Sequence, residues 1–251
     1  MAKDNRFTFE CPHLEAAIRQ ECSSRFGEYS NDQEITLQDM TRLNSDLGAD
    51  DGHLCLNGYQ ISNLHPLTIL SNLRSLFVNS SQIKDFSFLD ELPCFNDLDL
   101  GPSLVLPRNK HNLNKSRGAP PLLMYRPPTR ADGSELEIED LTPLCELKKL
   151  KSLNISSLHK VTDLSPLAGM KNLTSLRLSG YSLVDYSPLC GLTNLEELIL
   201  AFCQPTDLDS FTKLRNLKSL ALLRSGLAHQ QTQDLAKALP GCLLQFTPYN
   251  S

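Results

Sequence analysis

The chain contains no tryptophan, and aromatic side chains make up only 6% of its residues. A surface built to stack sugar rings or single-stranded bases is therefore not expected. No stretch holds eighteen apolar residues in a row, so no membrane-spanning helix is expected. The start, Met1-Ala2-Lys3-Asp4-Asn5-Arg6-Phe7, lacks the apolar segment of an export signal. None of the eight cysteines stands in a C-x-x-C pair, which leaves a zinc ribbon or thioredoxin-like motif without support. Several occupy positions that the surrounding pattern reserves for apolar residues, so they read as reduced, mostly buried thiols. His13, His53, His65, His111, His159 and His229 are scattered, with no His/Cys cluster at ligand spacing, and there is no glycine-rich phosphate loop. Neither a metal nor another cofactor is expected, and the chain reads as non-enzymatic, with a hydrolase assembled on loops the weakest reading left. Lys and Arg number 24 against 29 Asp and Glu, a net charge of −5, so the chain as a whole is not built for a polyanion.

What the sequence does have is a repeat. L-x-x-L-x-L recurs as Leu73-Leu76-Val78, Phe95-Leu98-Leu100, Leu150-Leu153-Ile155, Leu173-Leu176-Leu178, Leu195-Leu198-Leu200 and Leu217-Leu220-Leu222. The first residues step by 22, 55, 23, 22 and 22, and weaker copies extend the series to Asp51-Leu54-Leu56 and Leu239-Cys242-Leu244. A second motif appears in six repeats, as in Ile138-Asp140-Leu141-Pro143-Leu144, Val161-Asp163-Leu164-Pro166-Leu167 and Leu183-Asp185-Tyr186-Pro188-Leu189. The last two apolar positions of L-x-x-L-x-L alternate, as in a short strand with one buried face. The Asp and Pro then turn the chain, and the next apolar residues cover the other side. One such coil cannot bury its own face, but stacked coils share a core. Each buried Leu contributes roughly 1.5–3 kcal/mol. A set of amphipathic helices would need a 3.6-residue period throughout, which the constant step does not supply.

The unit Leu173–Leu189, LTSLRLSGYSLVDYSPL, resembles the leucine-rich repeat family, in particular the 22-residue class of bacterial internalin-like proteins. The resemblance runs from about residue 51 to 244 and implies an α/β solenoid, a right-handed superhelix with a parallel sheet on its concave face. It departs at the family's asparagine position, held here by Tyr59, Ser81, Ser103, Tyr181, Cys203 and Ser225. Pro12–Phe26 reads as a helix with Leu14, Ala17, Ile18 and Cys22 on one stripe, stopped by Gly27. A second helix is expected after Ile35, with Thr36 and Asp39 as its capping signal and Leu37, Met40, Leu43 and Leu47 inward. This pair resembles the helical cap of internalin-like proteins. The division expected is a cap over 1–50 and a solenoid of about eight or nine repeats over 51–251. Gln230–Ala238 reads as a short helix on the convex side and Cys242–Phe246 as a last strand.

In this fold the variable strand positions point out from the concave face. The central position supplies Cys55, Phe77, Asp99, Asn154, Arg177, Ile199 and Ala221, and the position after the last apolar residue supplies Ala201 and Leu223 among others. Strands about 4.8 Å apart make this surface roughly 40 Å long. Phe77, Ile199, Phe202 and Leu223 are its candidate apolar anchors, and Arg177 and Arg224 its candidate charged contacts.

The 55-residue step equals two repeats and 11 residues, so one repeat is read there as disguised by an insertion at about 103–134. Between Gly101 and Gly133, Arg108, Lys110, Lys115, Arg117, Arg126 and Arg130 face Asp132 alone, a local +5 that leaves −10 elsewhere. Leu122-Leu123-Met124-Tyr125, between two Pro-Pro pairs, is assigned as the hidden strand, with 107–119 leaving the surface. As a functional feature, the insertion clamps an acidic partner.

The function expected is protein recognition on the concave face by a monomer, helped by the insertion. The alternative is an anion- or nucleic-acid-binding protein acting through the insertion. Nucleic acid is the weaker case, because the surrounding field is acidic and no stacking aromatics are interleaved. A cytoplasmic location is expected, or an exported one if a leader has been removed.

Overall fold

The computed structural model describes the chain apart from residues 1–5, 28, 31–32, 57–59, 79–82, 84, 102–139, 156–159, 181 and 248–251. Two helices precede the sheet. Helix α1, Pro12–Phe26, starts on a proline whose missing N–H would have had no partner there, and it buries Leu14, Ala17, Ile18 and Cys22. Helix α2, Leu37–Ala49, opens with a reciprocal cap: Asp39 N donates to Thr36 Oγ1 at 3.2 Å, and Thr36 N donates to Asp39 Oδ2 at 2.8 Å. It buries Met40, Leu43 and Leu47, while Leu37 is exposed rather than inward. Arg25 joins the cap to the first coil, with Nη1 on Asp46 Oδ2 at 2.6 Å and Nη2 donating to the His53 carbonyl at 2.6 Å.

Eight parallel strands then follow in chain order, each hydrogen-bonded to the next. They are β1 His53–Cys55, β2 Ser75–Phe77, β3 Asp97–Asp99, β4 Ser152–Ile155, β5 Ser175–Ser179, β6 Glu197–Ala201, β7 Ser219–Leu223 and β8 Leu243–Thr247. The register stacks Leu54, Leu76, Leu98, Leu153, Leu176, Leu198 and Leu220 in one row, and all seven are fully buried. This is the shared core that the repeat requires. Gly52 sits at the start of β1 with φ +72, and its carbonyl accepts from Arg74 N and Ser75 N. A Cβ there would meet Arg74 Cγ at 2.7 Å and the Asn72 carbonyl at 2.9 Å, so the position suits glycine alone.

Each strand returns through a short helical turn, and one hydrogen bond sets where that turn begins. Asn63, Asp85, Asp140, Asp163, Asp185 and Asp207 each accept, through Oδ1, the backbone N–H two residues on, all at 2.8 Å. Behind the turns Leu67, Leu89, Leu144, Leu167 and Leu189 close the core. A second ladder runs at the other side of the coils. Asn172, Asn194 and Asn216 donate their side-chain amides to the carbonyls of Lys148, Lys171 and Thr193 at 2.8–2.9 Å, each reaching the preceding coil. The family asparagine position is replaced in this chain, and these asparagines stitch adjacent coils elsewhere. Helix α3, Asp209–Thr212, fills the place of the sixth turn, and helix α4, His229–Ala238, precedes β8.

Two expectations are corrected. Strand β3 pairs directly with β4, Asp97 against Ser152 and Asp99 against Asn154, so no hidden strand from Leu122–Tyr125 stands between them in the sheet. The 55-residue step is one coil with 33 further residues, not two coils with 11. The eight cysteines are all free, but only Cys11, Cys22 and Cys203 are buried; Cys55 is exposed and the other four are partly covered. Among the described residues, no helix is long and apolar enough to cross a membrane.

Candidate functional site

Strand alternation puts every second side chain on the outer face of the sheet. The central row runs Cys55, Phe77, Asp99, Asn154, Arg177, Ile199, Ala221 and Gln245, one residue per strand in unbroken register. A parallel row two residues earlier runs His53, Ser75, Asp97, Ser152, Ser175, Glu197, Ser219 and Leu243. Sequence reasoning missed this second row, although the alternation that turns 77 outward puts 75 on the same side of the sheet, where Ser75 is covered.

Three chemical zones follow one another along the face. At the β1 end, the half-buried Phe77 ring lies 5.7 Å from that of His53. The middle is polar and cross-linked. Ser75 Oγ donates to Asp97 Oδ2 at 2.7 Å, Asn154 Nδ2 to Asp99 Oδ2 at 3.1 Å, and Ser175 Oγ to Glu197 Oε2 at 2.7 Å. Arg177, half exposed, reaches Glu197 at 3.4 Å, so this candidate charged contact is a tethered cation. Three carboxylates, Asp97, Asp99 and Glu197, outnumber it. Burial pushes the Asp99 carboxyl above its ordinary range, and the Asn154 amide and the Gly101 N–H, at 2.7 Å, hold it back only in part. Beyond this zone lies an aliphatic one: Ile199, Ala201 and Leu223 are partly exposed, Ala221 is 5% exposed, and Leu243 at the rim is 72% exposed.

Phe202 and Arg224 leave the ends of β6 and β7 in the left-handed region, with φ +57 and +52; among the described residues no other non-glycine does so. The Arg224 guanidinium lies 5.1 Å above the Phe202 ring, within cation–π range. Phe202 is 7% exposed, which corrects its assignment as an open apolar anchor: its ring is covered and serves as the seat of Arg224. Arg224 N donates to Thr247 Oγ1 at 2.8 Å, which fixes this corner to β8.

The structure thus brings Phe77, Asp99, Asn154, Arg177, Ile199 and Leu223 onto one face, with the Phe202–Arg224 pair at its rim. The insertion residues Arg108, Lys110, Lys115, Arg117, Tyr125, Arg126 and Arg130 lie outside the described residues. Among the described residues, no three His, Cys, Asp or Glu side chains converge as a metal site.

No protein-family profile and no curated protein matches the chain. Solved structures do. Internalin C2 from Listeria monocytogenes is 21% identical, with a TM-score of 0.58 over 96% of this chain and 88% of its own. The internalin inlF of the same organism is 22% identical, with a TM-score of 0.57 over 96% of this chain and 56% of its own. At that identity the likeness concerns the fold, an internalin-like leucine-rich repeat solenoid.

Proposed function

Starting from an internalin-like leucine-rich repeat solenoid, we propose that the outer, concave face of the sheet binds a protein partner without catalysis. The observation that carries this reading is the unbroken central row from Cys55 to Gln245, whose side chains take no part in the core and change in chemistry along the sheet. Stacked coils need only their inward leucines, so the outward row is spare for recognition. Ile199 and Leu223 supply apolar anchor area, and Arg177, Arg224 and Phe77 are of the residue types that dominate interfaces. The tethered middle arrives pre-organised, which lowers the ordering cost of binding. The basic insertion follows Gly101 directly in the sequence and carries a local charge of +5. In this reading it supports the same partner.

The test is a comparison of three full-length variants, Ile199→Asp, Leu223→Asp and Val184→Asp, the last at an exposed residue away from the sheet. Proteins retained by the wild-type chain are purified and titrated against each. The first two substitutions are expected to weaken binding by about tenfold or more each, as for anchors at an interface centre. Loss on Val184→Asp with retention by the other two would place the interface elsewhere.

A further inference from the structure

We propose that the edge where the chain enters β4 to β7 is a second docking surface, separate from the concave face, and that it takes an acidic polypeptide segment. A shallow groove of about 620 Å³ runs along this edge, lined by Lys149, Lys151, Asn172, Asn194, Glu196 and Asn216 among others. Its floor is a backbone ladder whose groups are already paired: Thr174 N to the Lys151 carbonyl, Glu196 N to that of Thr174, and Lys218 N to that of Glu196, all at 2.8 Å. Recognition here therefore falls to side chains.

The lining carries Lys149 and Lys151 against Glu196, and Lys171, Lys213, Arg215 and Lys218 flank the lining residues in the chain. Lys218 is paired with Glu196 at 2.7 Å and Lys149 with Asp90 at 3.9 Å. Lys151, Lys171, Lys213 and Arg215 are exposed and, among the described residues, none has a carboxylate within ion-pair distance. The balancing acids sit elsewhere on the coil. Asp140, Asp163, Asp185 and Asp207 cap the turns after each strand, on the return side. The coils that enter β4, β5 and β7 thus bring Lys149 and Lys151, Lys171, and Lys213, Arg215 and Lys218 to this edge, while the coil that enters β6 brings Glu196, which Lys218 pairs. Stacking aligns these charges into an edge with an excess of cations on a chain of net −5.

The asparagines decide which polyanion fits. Asn172, Asn194 and Asn216 each direct one side-chain N–H to a carbonyl of the preceding coil, which fixes the amide and leaves its oxygen and second N–H for a ligand. An oxygen acceptor repels phosphate oxygens but receives a peptide N–H. Glu196 in the lining acts in the same direction. A segment carrying both carboxylates and backbone N–H groups satisfies the lysines and the asparagine oxygens together, whereas a sugar-phosphate backbone offers those oxygens no N–H.

The experiment titrates the full chain with a fluorescein-labelled peptide of alternating glutamate and serine, and separately with an oligothymidylate of equal charge. The peptide is expected to bind, and more weakly as salt rises. The combined variant Lys151→Glu, Lys171→Glu, Lys213→Glu, Arg215→Glu is expected to weaken it by about tenfold or more. A milder set with glutamine at the same four positions guards against misfolding and is expected to weaken it in the same direction. Ile199→Asp is expected to leave peptide binding unchanged, which separates this surface from the concave face. Three results would overturn the proposal: no peptide binding to the wild-type chain at low salt, binding abolished by glutamine at Arg108, Lys110, Lys115 and Arg117 but not at the edge, or oligothymidylate binding as tightly as the peptide.

Discussion

The side-chain amide of Asn154 donates to Asp99 Oδ2 over 3.1 Å, joining neighbouring strands whose residues lie 55 apart in the chain. Because β3 and β4 are direct neighbours, the sheet does not depend on the residues between them for its continuity. Replacing 103–134 by a short glycine-serine link is expected to leave the far-ultraviolet circular dichroism unchanged. The melting temperature should stay the same or rise, since a shorter connection costs less closure entropy. A loss of cooperative unfolding in this variant would show that the insertion is part of the core.

The raised pKa of Asp99 sets a pH dependence of definite sign. A carboxyl whose folded pKa lies above its unfolded value of about 3.9 favours folding when protonated. That contribution is complete below the unfolded value and is lost as pH rises through the folded one. At neutral pH the carboxylate therefore costs stability. Asp99→Asn, with the Asn154 amide turned over to keep the contact, is expected to melt above wild type at pH 7, the gap closing in acid. A gap of constant size across the titration would mean that burial of the charge is not its cause.

The turn-capping aspartates behave in the opposite way. The hydrogen bonds from Thr142, Ser165 and Ser187 hold the carboxyls of Asp140, Asp163 and Asp185 below the usual range. Their stabilisation is present above the unfolded carboxylate value and is lost as pH falls through the lowered folded values. Asp185→Ala is expected to lower the melting temperature at pH 7, and Asp185→Asn to retain it, because Asn63 already makes the same bond in the first coil at 2.8 Å. Thermal melts of wild type and both variants across the acid range check this, with the gap between wild type and Asp185→Ala closing in acid and both variants less acid-sensitive than wild type.

Adjacent residues on β5 separate the core from the face. Leu176 is fully buried and Arg177 exposed. Leu176→Ala is expected to destabilise by about 2–5 kcal/mol in denaturant unfolding. Arg177→Ala is expected to change stability by about 0.5 kcal/mol or less, since its partner Glu197 is itself partly solvated. Equal effects at the two positions would contradict the register.

Much of this was legible in the spacing of the leucines. The 22-residue step located the strands, and Pro12, Gly27, Thr36 and Asp39 bounded the cap helices because terminal signals are local. The 55-residue step misled, since arithmetic alone cannot distinguish one coil and a long excursion from two coils and a short one. Only the pairing of Asp97 with Ser152 decides it. Within the site, the outward direction of Phe77, Arg177 and Ile199 followed from alternation. The cover over Phe202 did not, because it depends on a left-handed turn and on an arginine one coil later. The Asn172–Asn194–Asn216 ladder was present in the sequence just ahead of each first leucine. Its role was not legible there, because each bond reaches a carbonyl 23 or 24 residues back, which only the stacking of the coils brings near.

Site-specific photo-crosslinking tests the assignment of the binding face most directly. A benzophenone amino acid is placed in turn at Arg177, Ile199 and Leu223 on the face and at Val184 away from it, and each chain is irradiated with its captured partner. Discrete adducts from the three face positions and none from Val184 are expected. An adduct from Val184 with none from the sheet would contradict the account.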